Sequence, residues 1–438
     1  MDRIRFIHTA DVHLGSFLQI IGDSLPTKVE KSRVEATLEG FQRVCTTAIE
    51  EKVDFVVISG DLYDREARSV QAQEYFIREC RKLAQADIEV FVIAGNHDPL
   101  RENQDIFEFP GNVHVFRGEQ VEMYEVLNQR RVPAARIVGQ SYLNRAETQK
   151  IHLGYKVPSD HLWNIALLHT QLESGASNYV PATLSELKDK EEIHYWALGH
   201  LHQPQIISED IPLVVYPGIP QGRDFGEQGR GGSFLVELSR SQRPSVTFLP
   251  TAPVQFARVD IFIDRDGDVE TIDALREKIA RKVEHLLVKK DDKHPLEGYV
   301  VDWVIRGRGY LHNNIMEQPE NFADHLISEL RTEYGNGNPF VWTNAVTFRT
   351  KPPLDFEFEM ENSEILLELD AVLKEFLEEP EFKEEILNRL GPVWKGNVNF
   401  EDHGPADDFR FHLDHDTLQE LLESARQMIL EGLIQGRG

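Results

Sequence analysis

Val53-Asp54-Phe55-Val56-Val57-Ile58-Ser59-Gly60-Asp61 is the stretch on which the fold turns. Its apolar run is short and nearly continuous, which suits a strand buried on both faces. Strands of that kind belong to parallel sheets covered by helices. The flanking sequence agrees. Glu30 to Lys52 puts Val34, Leu38, Phe41, Val44, Ala48 and Ile49 on one face of an amphipathic helix. Arg3 to Thr9 reads as a strand, Ala67 to Ala86 as a second helix and Glu89 to Ala94 as a third strand. Strand-helix-strand-helix-strand predicts an α/β fold with a parallel sheet and right-handed crossovers.

Further on, short strands are expected at Val113–Phe116, Val121–Val126 and Ala135–Ser141, then at Trp163–Leu168, His194–Leu198 and Leu213–Tyr216. Phe234–Leu238 is expected to close a first domain over residues 1–250, with Pro250 and Pro253 marking a linker. The pattern restarts over 254–352. Strands at Ala257–Ile263, Tyr299–Arg306 and Phe340–Phe348 alternate with helices near Thr271–Val288 and Pro319–Tyr334, a small α/β module. Residues 353–438 read as an acidic helical tail, with Ser363 and Asp416 as N-caps.

The chain has 438 residues, enough for two or three domains. No run of about 18 apolar residues is present, so no membrane helix is expected. The N-terminus lacks the apolar run of a signal peptide. Cys45 and Cys80 cannot make a disulfide framework, and buried thiols in a reducing cytoplasm are expected. The formal net charge of −27 speaks against a basic nucleic-acid footprint. Yet 21 acidic residues against five basic ones fall between Asp355 and Glu423. Charge therefore neither excludes DNA nor favours it.

The chemistry sits at strand ends. After successive strands come Asp11-Val12-His13, Gly60-Asp61, Gly95-Asn96-His97-Asp98, His169 and Gly199-His200-Leu201-His202. In open α/β sheets ligands gather at the carboxyl ends of strands, so these residues are expected to converge. Asp and His at i and i+2 can face one cation. Asp61 can bridge two, and Asn96 offers a neutral carbonyl oxygen. Two metals about 3.5–4 Å apart clamp a phosphate and activate a water. Glycines at 60, 95 and 199 permit close backbone approach. A lone histidine is more often structural, and Gly-Asp after a strand is commonplace. Five such elements in order, each at a strand end, are not explained by scattered polar turns.

Together these motifs resemble the calcineurin-like metallophosphoesterase superfamily over residues 4 to 240. Phe6-Ile7-His8-Thr9-Ala10-Asp11-Val12-His13-Leu14-Gly15 resembles the opening of SbcD-type DNA-repair exonucleases. Tyr216-Pro217-Gly218-Ile219-Pro220-Gln221-Gly222-Arg223, with Glu227 and Gly231–Val236, resembles their YhaO-like branch. The resemblance implies an α/β/β/α sandwich with an α/β cap module. It implies that Asp11, His13, Asp61 and His202 hold one metal, and Asp61, Asn96, His169 and His200 the other. His97 would act on the leaving oxygen without binding metal, paired with Asp64. Oxygen and imidazole ligands without thiolate suit manganese, with zinc and iron also compatible. The implied partners are DNA and an SMC-like coiled-coil ATPase of SbcC/YhaN type, docked through the C-terminal helices. A homodimer through the catalytic domain is a further expectation from the family.

The same site could instead serve small phosphodiesters or phosphoproteins, or the chain could act chiefly as a scaffold for the ATPase. Two other features carry less. Asp264-Arg265-Asp266-Gly267-Asp268 has its glycine at the fourth position of a calcium loop, not the sixth, and reads as a turn. His412-Leu413-Asp414-His415 has no matching partners and reads as a solvated turn. The helix bearing Arg276, Lys278, Arg281, Lys282, Lys289 and Lys290 suits either DNA phosphates or a solvated face beside acidic neighbours.

Overall fold

The computed structural model describes residues 3–64, 69–101, 107–128, 131–172, 178–265, 267–288 and 293–353, with 367, 368 and 371. Apart from Pro353 and those last three positions, the expected helical tail lies outside the described residues. So do its caps Ser363 and Asp416, the His412–His415 run, Asp266, Lys289 and Lys290.

The apolar run around Val56 forms β2 (Phe55–Ser59), between β1 (Arg3–Thr9) and β3 (Glu89–Ile93), with β4 (Val113–Val115) beyond. These four strands are parallel. A second sheet holds β5 (Glu122–Leu127), β6 (Pro133–Gly139), β7 (Trp163–His169), β8 (Tyr195–Gly199), β9 (Gln205–Ser208) and β10 (Leu213–Tyr216), in the order β5-β6-β7-β8-β10-β9. The chain then returns to the first sheet as the antiparallel strands β11 (Gly232–Ser239) and β12 (Ser245–Pro250).

Every residue of β2 is buried, and its pleat divides them between two cores. Phe55 and Val57 join Phe6, Phe91, Ile165, Leu167 and Tyr195 between the two sheets. Val56 and Ile58 face Phe41, Val44, Phe76 and Leu83 from α1 (Thr27–Glu50) and α2 (Val70–Gln85). On the outer face of the second sheet, Leu187 of α3 (Leu184–Lys188) packs with Ile151, Tyr155 and Trp196. The layers are thus α/β/β/α, the sandwich the sequence led us to expect.

Some elements differ from the sequence reading. α1 starts at Thr27, just after Pro26, rather than at Glu30. β11 does not close this part of the chain, because β12 pairs with it and ends at Pro250. β9, β12 and α3 carry partly exposed sequences with weak apolar periodicity, which hid them.

Residues 254–352 form a parallel three-stranded sheet of β13 (Val254–Phe262), β14 (Gly298–Arg308) and β15 (Phe340–Lys351). α4 (Ile272–Leu287), α5 (Leu311–Glu317) and α6 (Pro319–Tyr334) cover one face through Leu275, Ile279, Leu311, Leu326 and Leu330. The other face sets Phe256, Val300, Phe340 and Trp342 against Leu18, Val29 and Ala36. The Trp342 indole N–H also donates to the Ile21 carbonyl at 3.1 Å. On α4, Arg276 is paired with Glu329 and Asp273, and Arg281 lies 3.7 Å from Glu277. The acidic-neighbour reading therefore holds for these two arginines. Among the described residues, no helix is long and apolar enough to cross a membrane.

Candidate metal centre

β1, β2 and β3 end in step, with Thr9 opposite Ile58 and Ser59 opposite Ile93. In the second sheet His169 lies opposite Gly199. The carboxyl ends of both sheets thus open on one edge, and the five motifs meet there. The loops after β1 and β2 are laced together. Asp11 N–H donates to the Gly60 carbonyl at 3.0 Å and His13 N–H to the Asp61 carbonyl at 3.1 Å. Asp11, His13 and Asp61 sit at φ of 49°, 44° and 50°. Each such left-handed residue costs of order 1–3 kcal/mol, strain that surrounding structure must hold in place.

Two glycines are required here. Gly60 has φ of 96°, and a Cβ there would strike the His169 ring. A Cβ on Gly199 would overlap the Ser59 carbonyl oxygen. Both loops approach too closely for any side chain.

The ligand-type atoms of Asp11, His13 and His202 lie within 4.8 Å of one another, as do those of Asp11, Asp61 and His169. Asn96 Oδ1 is 3.0 Å from His169 Nε2 and 3.2 Å from His200 Nδ1. The structure therefore brings together every residue expected to bind metal.

The donor set fits cations. His169 Nδ1 donates to the Ser59 carbonyl at 2.9 Å, which turns Nε2 toward Asn96 Oδ1 at 3.0 Å and Asp61 Oδ2 at 3.4 Å. His202 Nδ1 is held by Glu227 Oε1 at 2.5 Å, so its Nε2 faces His13 Nε2 at 3.4 Å. Carboxylates, an amide oxygen and imidazoles crowded into a buried site call for positive charge among them, which protons on the rings or bound cations supply. His13 Nδ1 is also buried without a hydrogen-bond partner.

The titration behaviour has the same cause. Burial opposes charge on His169, but the Asp61 carboxylate overrides it and lifts the ring to about 9. Burial would raise Asp61, yet the His169 ring holds it well below the ordinary carboxylate range. Burial raises Asp11 to about 6 and lowers His13 to about 3 and His200 to about 4.

His97 stands apart. Its side chain is 41% exposed, against 27% for His202 and 0% for His169, so a substrate can reach it. Its backbone N–H donates to Asp61 Oδ1 at 2.9 Å, which fixes it over the centre. Its Nδ1 lies 3.0 Å from Asp64 Oδ1. That hydrogen bond raises His97 and holds Asp64 at about 2.

Three residues beside the site had been given no role. Asp98 accepts from the backbone N–H groups of Leu62, Tyr63 and Gly95 and so pins the β2 and β3 exits together. Glu227 anchors His202. Arg223 lies 2.8 Å from Glu227 Oε1 and 3.3 Å from Asp64 Oδ2, tying both sides of the centre. The opposite charges at i and i+4 in Arg223–Glu227 were the available signal.

Residues 4–204 match the family model described as calcineurin-like phosphoesterase. The chain carries a calcineurin-like metallophosphoesterase domain. Members of this family use a dinuclear divalent metal site, and the Asp and His groups above fit one. Among the proteins similar to this chain is the uncharacterised metallophosphoesterase YhaO of Bacillus subtilis, 29% identical over 84% of each chain. Proteins named DNA double-strand break repair protein Mre11 also match. That of Archaeoglobus fulgidus is 26% identical over 66% of each chain. That of Methanopyrus kandleri is 27% identical over 66% of this chain and 65% of its own.

Proposed function

We propose that this metallophosphoesterase hydrolyses DNA phosphodiesters in an exonuclease-like, metal-dependent reaction. The observation that carries the reading is the placement of reachable His97 over the buried Asp61, which faces the ligand groups from both sheets. In this reading Asp11, His13, Asp61 and His202 hold one divalent cation and Asp61, Asn96, His169 and His200 the other. When bound, the cations stabilise charge on the phosphoryl oxygens and acidify the attacking water. Asp64 fixes Nδ1 of His97, which leaves Nε2 to give a proton to the departing ester oxygen. Glu227 and Arg223 keep His202 and Asp64 in register.

The oxygen and imidazole donors favour manganese. The relatives named for double-strand break repair support DNA as substrate. Residues 254–352 serve as a cap on the catalytic domain, 1–250. Residues 353–438 serve to dock an SMC-like ATPase, and the catalytic domain pairs with a second copy. Two buried free cysteines suit a reducing cytoplasm. The test is cleavage of end-labelled linear DNA with added manganese. Wild type should cleave and His97→Ala should not. Equal cleavage by both would overturn the assignment.

A further inference from the structure

His8 lies behind the metal centre, between the two sheets, and is fully buried. We propose that it is a positioning residue, whose ring holds the two sheets at the spacing that lets ligands from both reach one pair of cations. This rests on the two-cation reading of the centre and adds what sets its dimensions.

Along β1 the pleat turns Ile4 and Phe6 into the apolar layer between the sheets. Phe6 stacks on Phe55 and meets the Tyr195 ring edge-on at 5.2 Å. The next inward position is His8, where another apolar side chain would complete the layer. A polar ring is stable there only when its nitrogens are hydrogen-bonded. Both nitrogens meet this condition. Nδ1 lies 2.9 Å from the Tyr195 hydroxyl. Nε2 lies 3.1 Å from the Leu198 carbonyl and 3.2 Å from Ser59 Oγ. A carbonyl only accepts, so Nε2 carries the proton and Nδ1 accepts from the tyrosine. Burial keeps the ring uncharged at neutral pH, lowering it to about 3.

These bonds run from β1 to β2 and β8 just before each enters the centre. Ser59 precedes Gly60-Asp61, Leu198 precedes Gly199-His200, and Thr9-Ala10 lead from His8 to Asp11. The Ser59 carbonyl in turn holds His169 Nδ1 at 2.9 Å. Hydrogen bonds fix a distance to within about half an ångström, whereas apolar packing tolerates exchange of shapes. A histidine here thus fixes a separation that a phenylalanine would only fill.

The two cation sites depend on this separation unequally. Asp61 and Asn96 come from the first sheet and His169 and His200 from the second, so that site is shared evenly. The other site takes Asp11, His13 and Asp61 from the first sheet and only His202 from the second. A changed gap parts the evenly shared site down its middle, but detaches a single ligand from the other.

The test is stepwise manganese binding by the full-length protein. Calorimetry gives the affinities, and electron paramagnetic resonance separates coupled manganese pairs from single ions. His8→Phe keeps an aromatic ring and removes both hydrogen bonds. It should bind the first manganese as wild type does and the second about 10–100-fold more weakly. Its spectrum should show single ions at a loading where wild type shows the pair. His8→Gln, whose amide N–H reaches near the position of Nε2, should recover most of the second affinity. Tyr195→Phe frees Nδ1 alone and should weaken the second manganese by less; it carries the test if His8→Phe does not fold. Wild-type binding of both ions by His8→Phe, or by Tyr195→Phe in its place, would overturn the proposal. So would equal weakening of both ions, or a His8→Gln no better than His8→Phe, because a histidine that only supports the fold gives those results. A wild type that takes up one manganese would remove the two-cation reading itself, and the role of His8 with it.

Discussion

Glu227 Oε1 lies 2.5 Å from His202 Nδ1, at the end of a chain of contacts that runs through Arg223 and Asp64 to His97. Glu227 is partly buried, and the hydrogen bonds with His202 and Arg223 override the cost of burial to keep it ionised. Such a partner fixes both the tautomer and the ring plane of a metal-binding histidine. Glu227→Ala should weaken manganese binding about 10–100-fold. Calorimetric titration of the full-length protein with manganese checks this, and unchanged affinity would show that His202 needs no anchor.

His97 and Asp61 should separate chemistry from metal binding. His97→Ala is expected to keep its metal and lose turnover by about 10²–10⁴-fold, the usual worth of a positioned proton donor. Asp64→Asn should retain metal and lose part of that factor. Asp61→Ala should lose metal as well as turnover. Metal content by mass spectrometry, set beside rates on bis(4-nitrophenyl) phosphate, distinguishes the three.

Where α1 meets the 254–352 sheet, Glu39 and Glu297 share the Arg43 guanidinium, at 2.5 and 3.0 Å. Burial, and then the hydrogen bond with Glu39, lift Glu297 from 4.5 to about 7. Between those values the folded state binds more protons than the unfolded chain. This contribution to stability is therefore full below pH 4.5 and declines as pH rises through about 7. Glu297→Gln should remove that dependence and raise the melting temperature at pH 8 by on the order of 1–2 °C, a small shift because the pair is partly solvated. Melting curves of both proteins at pH 5 and pH 8 test it.

Phe55 lies 4.9 Å from the Phe6 ring centre, stacked, and 6.0 Å from that of Phe91, edge-on. It belongs to the layer that sets the two sheets, and hence the two halves of the metal centre, against each other. Phe55→Ala should cost about 3–5 kcal/mol. Thermal unfolding monitored by near-ultraviolet circular dichroism should show a clearly lowered midpoint. A change of under about 1 kcal/mol would mean that the sheets do not depend on this layer.

What was legible in the sequence follows from burial. Strands β1, β2, β3, β7 and β8 are buried nearly throughout and read as plain apolar runs. Because each ends in a polar turn, the convergence of Asp11, Asp61, Asn96, His169 and His200 on one edge could be expected from their positions, while their ligand roles came from the family resemblance. β9 and β12 were not found, because they are half-exposed edges with little apolar signal. The roles of Arg223 and Glu227 were hidden for another reason. Their partners Asp64 and His202 lie far away in sequence, and only the folded chain brings them together.

The central claim is that Asp61 stands between two cations. Anomalous diffraction at the manganese edge, from crystals of the full chain soaked in manganese, tests it most directly. The account predicts two peaks about 3.5–4 Å apart on either side of the Asp61 carboxylate, one near His13 and His202, the other near His169 and His200. A single peak, or peaks away from Asp61, would contradict it.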